Sequence, residues 1–107
     1  MNFSVNGTEW LLEFVNPSSR HLYRSDGSIT IGVTDNTLKT VFINNRLSDH
    51  MLDKVLCHEL VHVFSFENDC DIDIETEELI ADFMSLYGRD IIYLADNLLK
   101  SLFRKIS

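Results

Sequence analysis

The sequence has little of what marks disordered or disulfide-stabilised proteins. It contains one proline, four glycines and two cysteines in 107 residues. So few prolines and glycines argue against disorder, and two cysteines are too few for the disulfide framework of a small secreted protein. The longest apolar runs are far too short to cross a bilayer, so we expect a soluble protein that does not associate with membranes.

Basic residues are also scarce. Nine Lys and Arg residues face 17 Asp and Glu residues, which gives a net charge of −8, and eight acids with no bases lie between Glu67 and Asp82. Such a surface repels phosphate backbones, which disfavours direct nucleic-acid binding. The first residues carry neither the basic region nor the apolar segment of a secretory signal, so we expect a cytoplasmic protein.

The length and the hydrophobic content predict a single domain over residues 1–107. A chain of this size buries about two thirds of its unfolded surface when it folds, and 45% hydrophobic residues agree with such a core. Bulky residues predict a first strand over Thr8–Val15. Alternation over Ser28–Thr34 and β-branched residues over Thr40–Asn44, with turn residues between, predict an antiparallel hairpin. The expected sheet therefore has about three mostly antiparallel strands.

Helical patterns fill the second half of the chain. Ser48 is a good N-cap for a helix that runs to about Phe66. A second helix should begin near Asp73 or Thr76, with Gly88 as its end and five packing residues: Leu79, Ile80, Phe83, Leu86 and Tyr87. A third amphipathic pattern runs from residue 89 to residue 104, and its broad apolar face should cover the sheet or the first helix. The alternatives for this face are a dimer interface or a segment that occludes the active-site groove, and we expect a monomer or a weak homodimer.

One motif lies inside the first of these helices, where His58-Glu59-Leu60-Val61-His62 forms an HExxH sequence. Two histidines four residues apart on a helix point the same way and can bind one metal ion, for which zinc is the natural candidate. Glu59 lies beside them and can take the proton of a water molecule that the metal activates. HExxH also arises by chance, so an accidental match on a buried helix is the simplest competing explanation.

A catalytic zinc ion needs a third protein ligand and one open position. No histidine follows His62, so the ligand should be a carboxylate, and Glu75, Glu77 and Glu78 are the candidates. Glu78 is favoured because Asp82 follows it by four residues, on the same helix face, where it can hydrogen-bond a ring nitrogen of a ligating histidine. For Glu75 and Glu77 we expect solvated positions at the start of a helix.

The HExxH motif followed by Glu78-x-x-x-Asp82 on a later helix resembles the gluzincin metallopeptidases. The small size resembles the minigluzincins and the ImmA/IrrE-like peptidase domains of phages and mobile elements, with the similarity covering roughly residues 29–87. The resemblance implies a small zincin-like α+β fold, in which a short sheet packs on the HExxH helix, a glutamate helix and a C-terminal helix. It also implies His58, His62 and Glu78 as zinc ligands, Glu59 as general base and Asp82 as the residue that orients a ligand.

The function implied is that of a zinc-dependent endopeptidase that cleaves a specific protein or peptide substrate. The resemblance suggests that an extended substrate pairs with an exposed sheet edge, for which Thr40–Asn44 is the candidate strand. The alternative is a zinc-stabilised regulatory or interaction module that has the ligands but little turnover.

Overall fold

The computed structural model describes the backbone of residues 1–106 and the side chains of residues 1–104. Over these residues the chain is an α+β protein, as predicted, with one four-stranded sheet and two α-helices. The elements in chain order are β1 (Asn2–Val5), β2 (Thr8–Val15), a 3-10 turn (Arg20–Leu22), β3 (Gly32–Asp35), β4 (Thr40–Asn44), α1 (Asp49–Glu67) and α2 (Ile74–Ile106). Neither helix, over the residues described, has the length and apolar content needed to span a membrane.

The sheet has the strand order β1-β2-β4-β3. The β1–β2 and β3–β4 pairs are antiparallel, whereas β2 and β4 are parallel. The β3–β4 pair confirms the predicted hairpin, although β3 covers only Gly32–Asp35 and not the predicted Ser28–Thr34. The sheet is therefore mixed and has four strands rather than about three. Because β4 is paired on both sides, the prediction that Thr40–Asn44 forms an exposed edge is wrong, and β3 is the edge strand on that side.

Strand β1 was not predicted, although the sequence contains a signal for it. Asn6 and Gly7 connect β1 to β2, and both have positive φ angles of 50° and 81°. An Asn-Gly pair with this geometry forms the two-residue turns that suit the twist of antiparallel strands. The pair therefore marks a hairpin whose first strand is the short segment before it.

The hydrophobic core lies between the sheet and α1. The sheet contributes Trp10, Val41 and Ile43, and α1 contributes Val55 and Val63, all of which are buried. At the end of α1, the Glu67 carboxylate accepts hydrogen bonds from Trp10 Nε1 at 2.9 Å and Lys39 Nζ at 2.7 Å. The bond from Lys39 is the largest influence that lowers the pKa of Glu67 below its ordinary value. These contacts attach the end of α1 to the sheet.

The first helix begins where the sequence predicts. The Ser48 hydroxyl accepts a hydrogen bond from the Met51 backbone N–H at 3.2 Å, which satisfies one of the free donors of the first turn. The other side of α1 is covered by α2, which runs antiparallel to it. Ala81 is fully buried at this contact. Its small side chain lets the two helices approach closely.

The second helix differs from the prediction, because the expected glutamate helix and C-terminal helix are one continuous helix, Ile74–Ile106. Gly88 lies within it, since a glycine in a helix interior costs only about 1 kcal/mol and its neighbours form helix readily. The five predicted packing residues are exposed, and so is most of the apolar face beyond residue 90. That face covers neither the sheet nor α1, contrary to the prediction.

Candidate metal centre

Two histidine side chains from α1 and one carboxylate from α2 converge at the centre of the helix pair. The Nε2 atoms of His58 and His62 are 3.4 Å apart. Glu78 places one oxygen 3.3 Å from His58 Nε2 and the other 2.9 Å from His62 Nε2. The ligand atoms of the three residues all lie within 4.8 Å of one another. This group could hold a metal ion.

The spacing suits a tetrahedral ion. Ligand bonds of about 2.1 Å to a tetrahedral zinc ion place the ligand atoms roughly 3.4 Å apart. The nearest separations are 3.4 Å between the two imidazoles, and 2.9 Å and 3.3 Å from the imidazoles to the two different oxygens of Glu78. With one ligand atom taken from each residue, all three atoms lie within 4.8 Å of one another. Two imidazole nitrogens and one carboxylate are also the donors of many catalytic zinc sites, which leave a fourth position open. The donor atoms therefore match those that zinc takes in proteins, and their spacing allows one metal ion.

Each histidine is oriented by a carboxylate on its other ring nitrogen. Nδ1 of His58 lies 3.0 Å from Asp82 Oδ1, the contact that the spacing of Glu78 and Asp82 predicts. Nδ1 of His62 lies 2.6 Å from Glu77 Oε1. When each Nδ1–H donates to its carboxylate, the lone pair of each Nε2 is left to face the other ligands. The carboxylates thus select the tautomer that binds metal.

Glu77 is a residue of the site that the sequence prediction placed in solvent. It is only 5% exposed, and besides His62 it accepts a hydrogen bond from Ser65 Oγ at 2.7 Å. The prediction that Glu77 is solvated is therefore wrong, whereas Glu75 is exposed as expected. A signal was present, because Glu77 precedes Ala81 by one helical turn. The close approach of the two helices at Ala81 also buries Glu77, its neighbour on the same face.

The Glu59 carboxylate lies beside the ligand group, held by the edge strand. Thr34 in β3 donates its hydroxyl to Glu59 Oε1 at 2.9 Å, and Glu59 Oε2 lies 3.9 Å from His58 Nε2. Glu59 is 7% exposed. Burial raises the pKa of Glu59, and the hydrogen bond from Thr34 opposes that rise. The role of Thr34 follows from packing of β3 on α1 and has no local signal in the sequence.

A pocket of about 270 Å³ opens next to His58 and Glu59. It lies between α1 and the segment that enters β3. Gly32 is part of its wall, and a Cβ atom there would lie 2.6 Å from Val55 Cγ1 and 3.2 Å from Glu59 Cγ. Glycine is therefore what allows β3 to lie so close to α1. The other lining residues include Arg24, Thr30, Met51 and Lys54.

Comparisons with protein-family models, with curated proteins and with solved structures give no match for this chain. The case for a function therefore comes from the residues of the site. They comprise three converging ligand atoms, two orienting carboxylates and a buried carboxylate held next to an open pocket.

Proposed function

We propose that the protein is a zinc-dependent endopeptidase with a small zincin-like fold, which hydrolyses peptide bonds of a specific protein substrate. The observation that carries this proposal is the buried Glu59 carboxylate, held by Thr34 beside the ligand group. Structural zinc sites have four protein ligands and need no base, whereas a catalytic site has three ligands and an adjacent proton acceptor. The position of Glu59 beside three candidate ligands supports the second kind.

In the proposed reaction, the residues of the site have separate roles. Zinc, when bound by His58, His62 and Glu78, would supply Lewis-acid chemistry, which lowers the pKa of water to about 7 and polarises a carbonyl group. Glu59 accepts the proton of the attacking water on its carboxylate and then delivers it to the leaving nitrogen. Thr34 keeps the carboxylate in position for both transfers.

The substrate would lie along β3. This strand is paired with β4 on one side only, so its other edge can accept an extended peptide as an added strand. Gly32 of β3 lines the pocket beside Glu59, so a peptide added to this edge would lie across the site. Arg24 and Lys54 also line this pocket, and in a chain of net charge −8 they favour a substrate with an acidic side chain near the cleaved bond.

The Glu59→Gln variant tests the proposal. Glutamine has nearly the same shape but cannot accept the proton, so we expect kcat/KM to fall by about 10² to 10⁴ while zinc stoichiometry stays at one per chain. Cleavage-site profiling with a peptide library, run beside metal analysis, measures both. Glu75→Gln is the matched control, because Glu75 is exposed on α2 and should leave cleavage unchanged.

The other outcomes separate the competing functions. Zinc binding without cleavage by the wild type would favour a zinc-stabilised regulatory or interaction module. Equal cleavage by the wild type and Glu59→Gln would contradict the assigned role of Glu59. If the purified protein neither contains zinc nor takes it up on titration, the HExxH sequence is accidental and both zinc hypotheses are wrong.

A further inference from the structure

The pocket beside Glu59 is lined by two basic side chains. Lys54 belongs to α1, one helical turn before His58, and Arg24 belongs to the segment that leads to β3. The two side chains therefore reach the pocket from different walls. The pocket has a volume of about 270 Å³. It is smaller than the pockets that enclose a whole drug-sized ligand, and it suits one side chain of a longer substrate.

Neither basic group is neutralised by the protein. Over residues 1–104, whose side chains the structure describes, neither Lys54 nor Arg24 forms an ion pair, although the chain has 17 acids and nine bases. By contrast, Lys39 lies 2.7 Å from the Glu67 carboxylate. Lys54 is also half-buried, so water reaches it only in part. A concave site lined by charges of one sign, with no acid paired to them, attracts an anion.

The Arg24 guanidinium is held at the pocket by a neutral partner. One of its terminal nitrogens donates a hydrogen bond to Thr30 Oγ1 at 3.3 Å, and Thr30 also lines the pocket. The turn between these two residues is closed by the Arg24 backbone N–H, which donates to the Ser28 carbonyl at 2.8 Å. A guanidinium group has further N–H donors in a planar fork, which remain for a carboxylate.

The acids nearest to these two basic groups have other partners. Glu59 lines the pocket, but one of its carboxylate oxygens accepts a hydrogen bond from Thr34 and the other lies 3.9 Å from His58 Nε2. Asp26, in the turn after Arg24, accepts hydrogen bonds from the Ser28 hydroxyl and backbone N–H at 2.6 Å and 2.8 Å. Two cations therefore face one carboxylate in the pocket.

The proposed reaction decides which substrate residue meets this pocket. Glu59 delivers a proton to the leaving nitrogen, so that nitrogen must come within hydrogen-bond reach of the Glu59 carboxylate. The nitrogen belongs to the residue on the C-terminal side of the cleaved bond, and the side chain of that residue is carried by the adjacent Cα atom. This side chain can therefore enter the pocket that Glu59 lines. The residue on the other side of the bond is separated from Glu59 by the reacting carbonyl group.

We propose that Arg24 and Lys54 bind the carboxylate of an aspartate or glutamate side chain at the first substrate position after the cleaved bond. The inference rests on the proposed function, and it adds the position of the acidic residue and the groups that select it. Charge-assisted hydrogen bonds from two walls favour a carboxylate over a neutral amide, and the same charges repel a basic side chain. A free C-terminal carboxylate has the same chemistry, so the experiment must distinguish the two.

Cleavage of C-terminally amidated peptides that differ only at this position tests the proposal. For the wild type we expect kcat/KM with Glu to exceed that with Gln at least about tenfold, and that with Lys by more. Arg24→Gln and Lys54→Gln should each lower the preference for Glu over Gln by about threefold to tenfold, and Lys54→Glu should favour the Lys peptide. Arg46→Gln is the matched control, because Arg46 is exposed and lies outside the pocket.

Binding without turnover gives a second measurement. In the Glu59→Gln background, isothermal titration calorimetry should show tighter binding of the Glu peptide than of the Gln peptide, and adding Lys54→Gln should remove most of this difference. Far-UV circular dichroism and zinc stoichiometry report whether each variant is folded.

The outcomes separate this inference from the proposed function. Equal kcat/KM for the Glu and Gln peptides would overturn the inference and leave the peptidase function in place, as would a preference for Glu that persists in both single variants. Cleavage only of peptides with a free C-terminal carboxylate would show that the pocket binds the end of the chain, and would overturn it too. If no peptide were cleaved, the proposed function would be wrong and the inference with it.

Discussion

Glu75 and Glu77 belong to the same acidic run but have different environments. Glu75 is exposed, whereas Glu77 is buried between the helices and binds His62 and Ser65. Two positions correspond to about 200° of rotation on a helix, which turns one side chain to water and the other to α1. The acidic composition of the run therefore does not show which of its glutamates belongs to the site. The helix phase, fixed by Ala81 at the contact, decides which acid serves the site.

The two glutamates provide a matched pair of variants. Glu77→Gln keeps a hydrogen-bond acceptor for His62 but removes the negative charge that makes the imidazole a stronger ligand, so we expect zinc affinity to fall by about 10 to 100-fold. Glu75→Gln removes the same charge from the surface and should change affinity little. Competition titration with a chromophoric chelator measures both. Equal losses of zinc affinity in the two variants would show that Glu77 acts only through the overall negative charge of the acidic run.

At the element scale, the parts of the fold that could be predicted are those with local signals. Ser48 marks the start of α1, and the periodic apolar residues after it mark its length. The β3–β4 hairpin follows from its alternating residues and its turn. By contrast, Gly88 was predicted to end a helix, but the helix continues through it because the residues around it form helix readily.

The remaining features depend on contacts between distant residues. Parallel pairing of β2 with β4 has no local signal, and it decides which strand is the sheet edge. For the site, the HExxH motif and the four-residue spacing of Glu78 and Asp82 were visible in the sequence. Thr34 belongs to the site only because β3 packs on α1, which no local pattern predicts. Local patterns thus predict which helix faces carry ligands, and tertiary packing determines what supports them.

The close approach of β3 to α1 gives a prediction for Gly32. Gly32→Ala introduces a Cβ atom only 2.6 Å from Val55 Cγ1 and 3.3 Å from Glu59 Oε2, so the strand or both side chains must move. We expect a loss of about 1 to 3 kcal/mol in the free energy of unfolding and a fall in kcat, because the Glu59 carboxylate is displaced. Chemical denaturation and peptide hydrolysis measure the two effects.

Gly88→Ala is the control for that substitution. There the three nearest atoms to the new Cβ all belong to the Met84 side chain, whose flexible end at 2.8 Å can move aside. Alanine also forms helix better than glycine by about 1 kcal/mol, so stability should be unchanged or higher. If both variants lost equal stability, the tight contact at Gly32 would not be the cause.

Over the whole molecule, the candidate centre joins three layers. The sheet supplies Thr34, α1 supplies the two histidines, and α2 supplies Glu78 together with both orienting carboxylates. Because α2 packs mainly on α1, an ion bound by residues of both helices would fasten the outer layer to the rest of the protein. The stability of the whole fold is therefore expected to depend on the metal.

This dependence can be measured by thermal unfolding. An ion that binds only the folded state stabilises it by RT ln(1 + [L]/Kd), about 4 kcal/mol when free zinc exceeds Kd a thousandfold. For a chain of 107 residues we expect such zinc to raise Tm by at least about 10 °C over protein treated with a chelator. Glu78→Gln, which weakens the link from α2, should lose most of this increase, and magnesium should not replace zinc because it prefers six oxygen ligands. All samples are compared at one low protein concentration, so that self-association does not contribute. An equal Tm with zinc and with chelator would contradict the metal centre and with it the catalytic function proposed for Glu59.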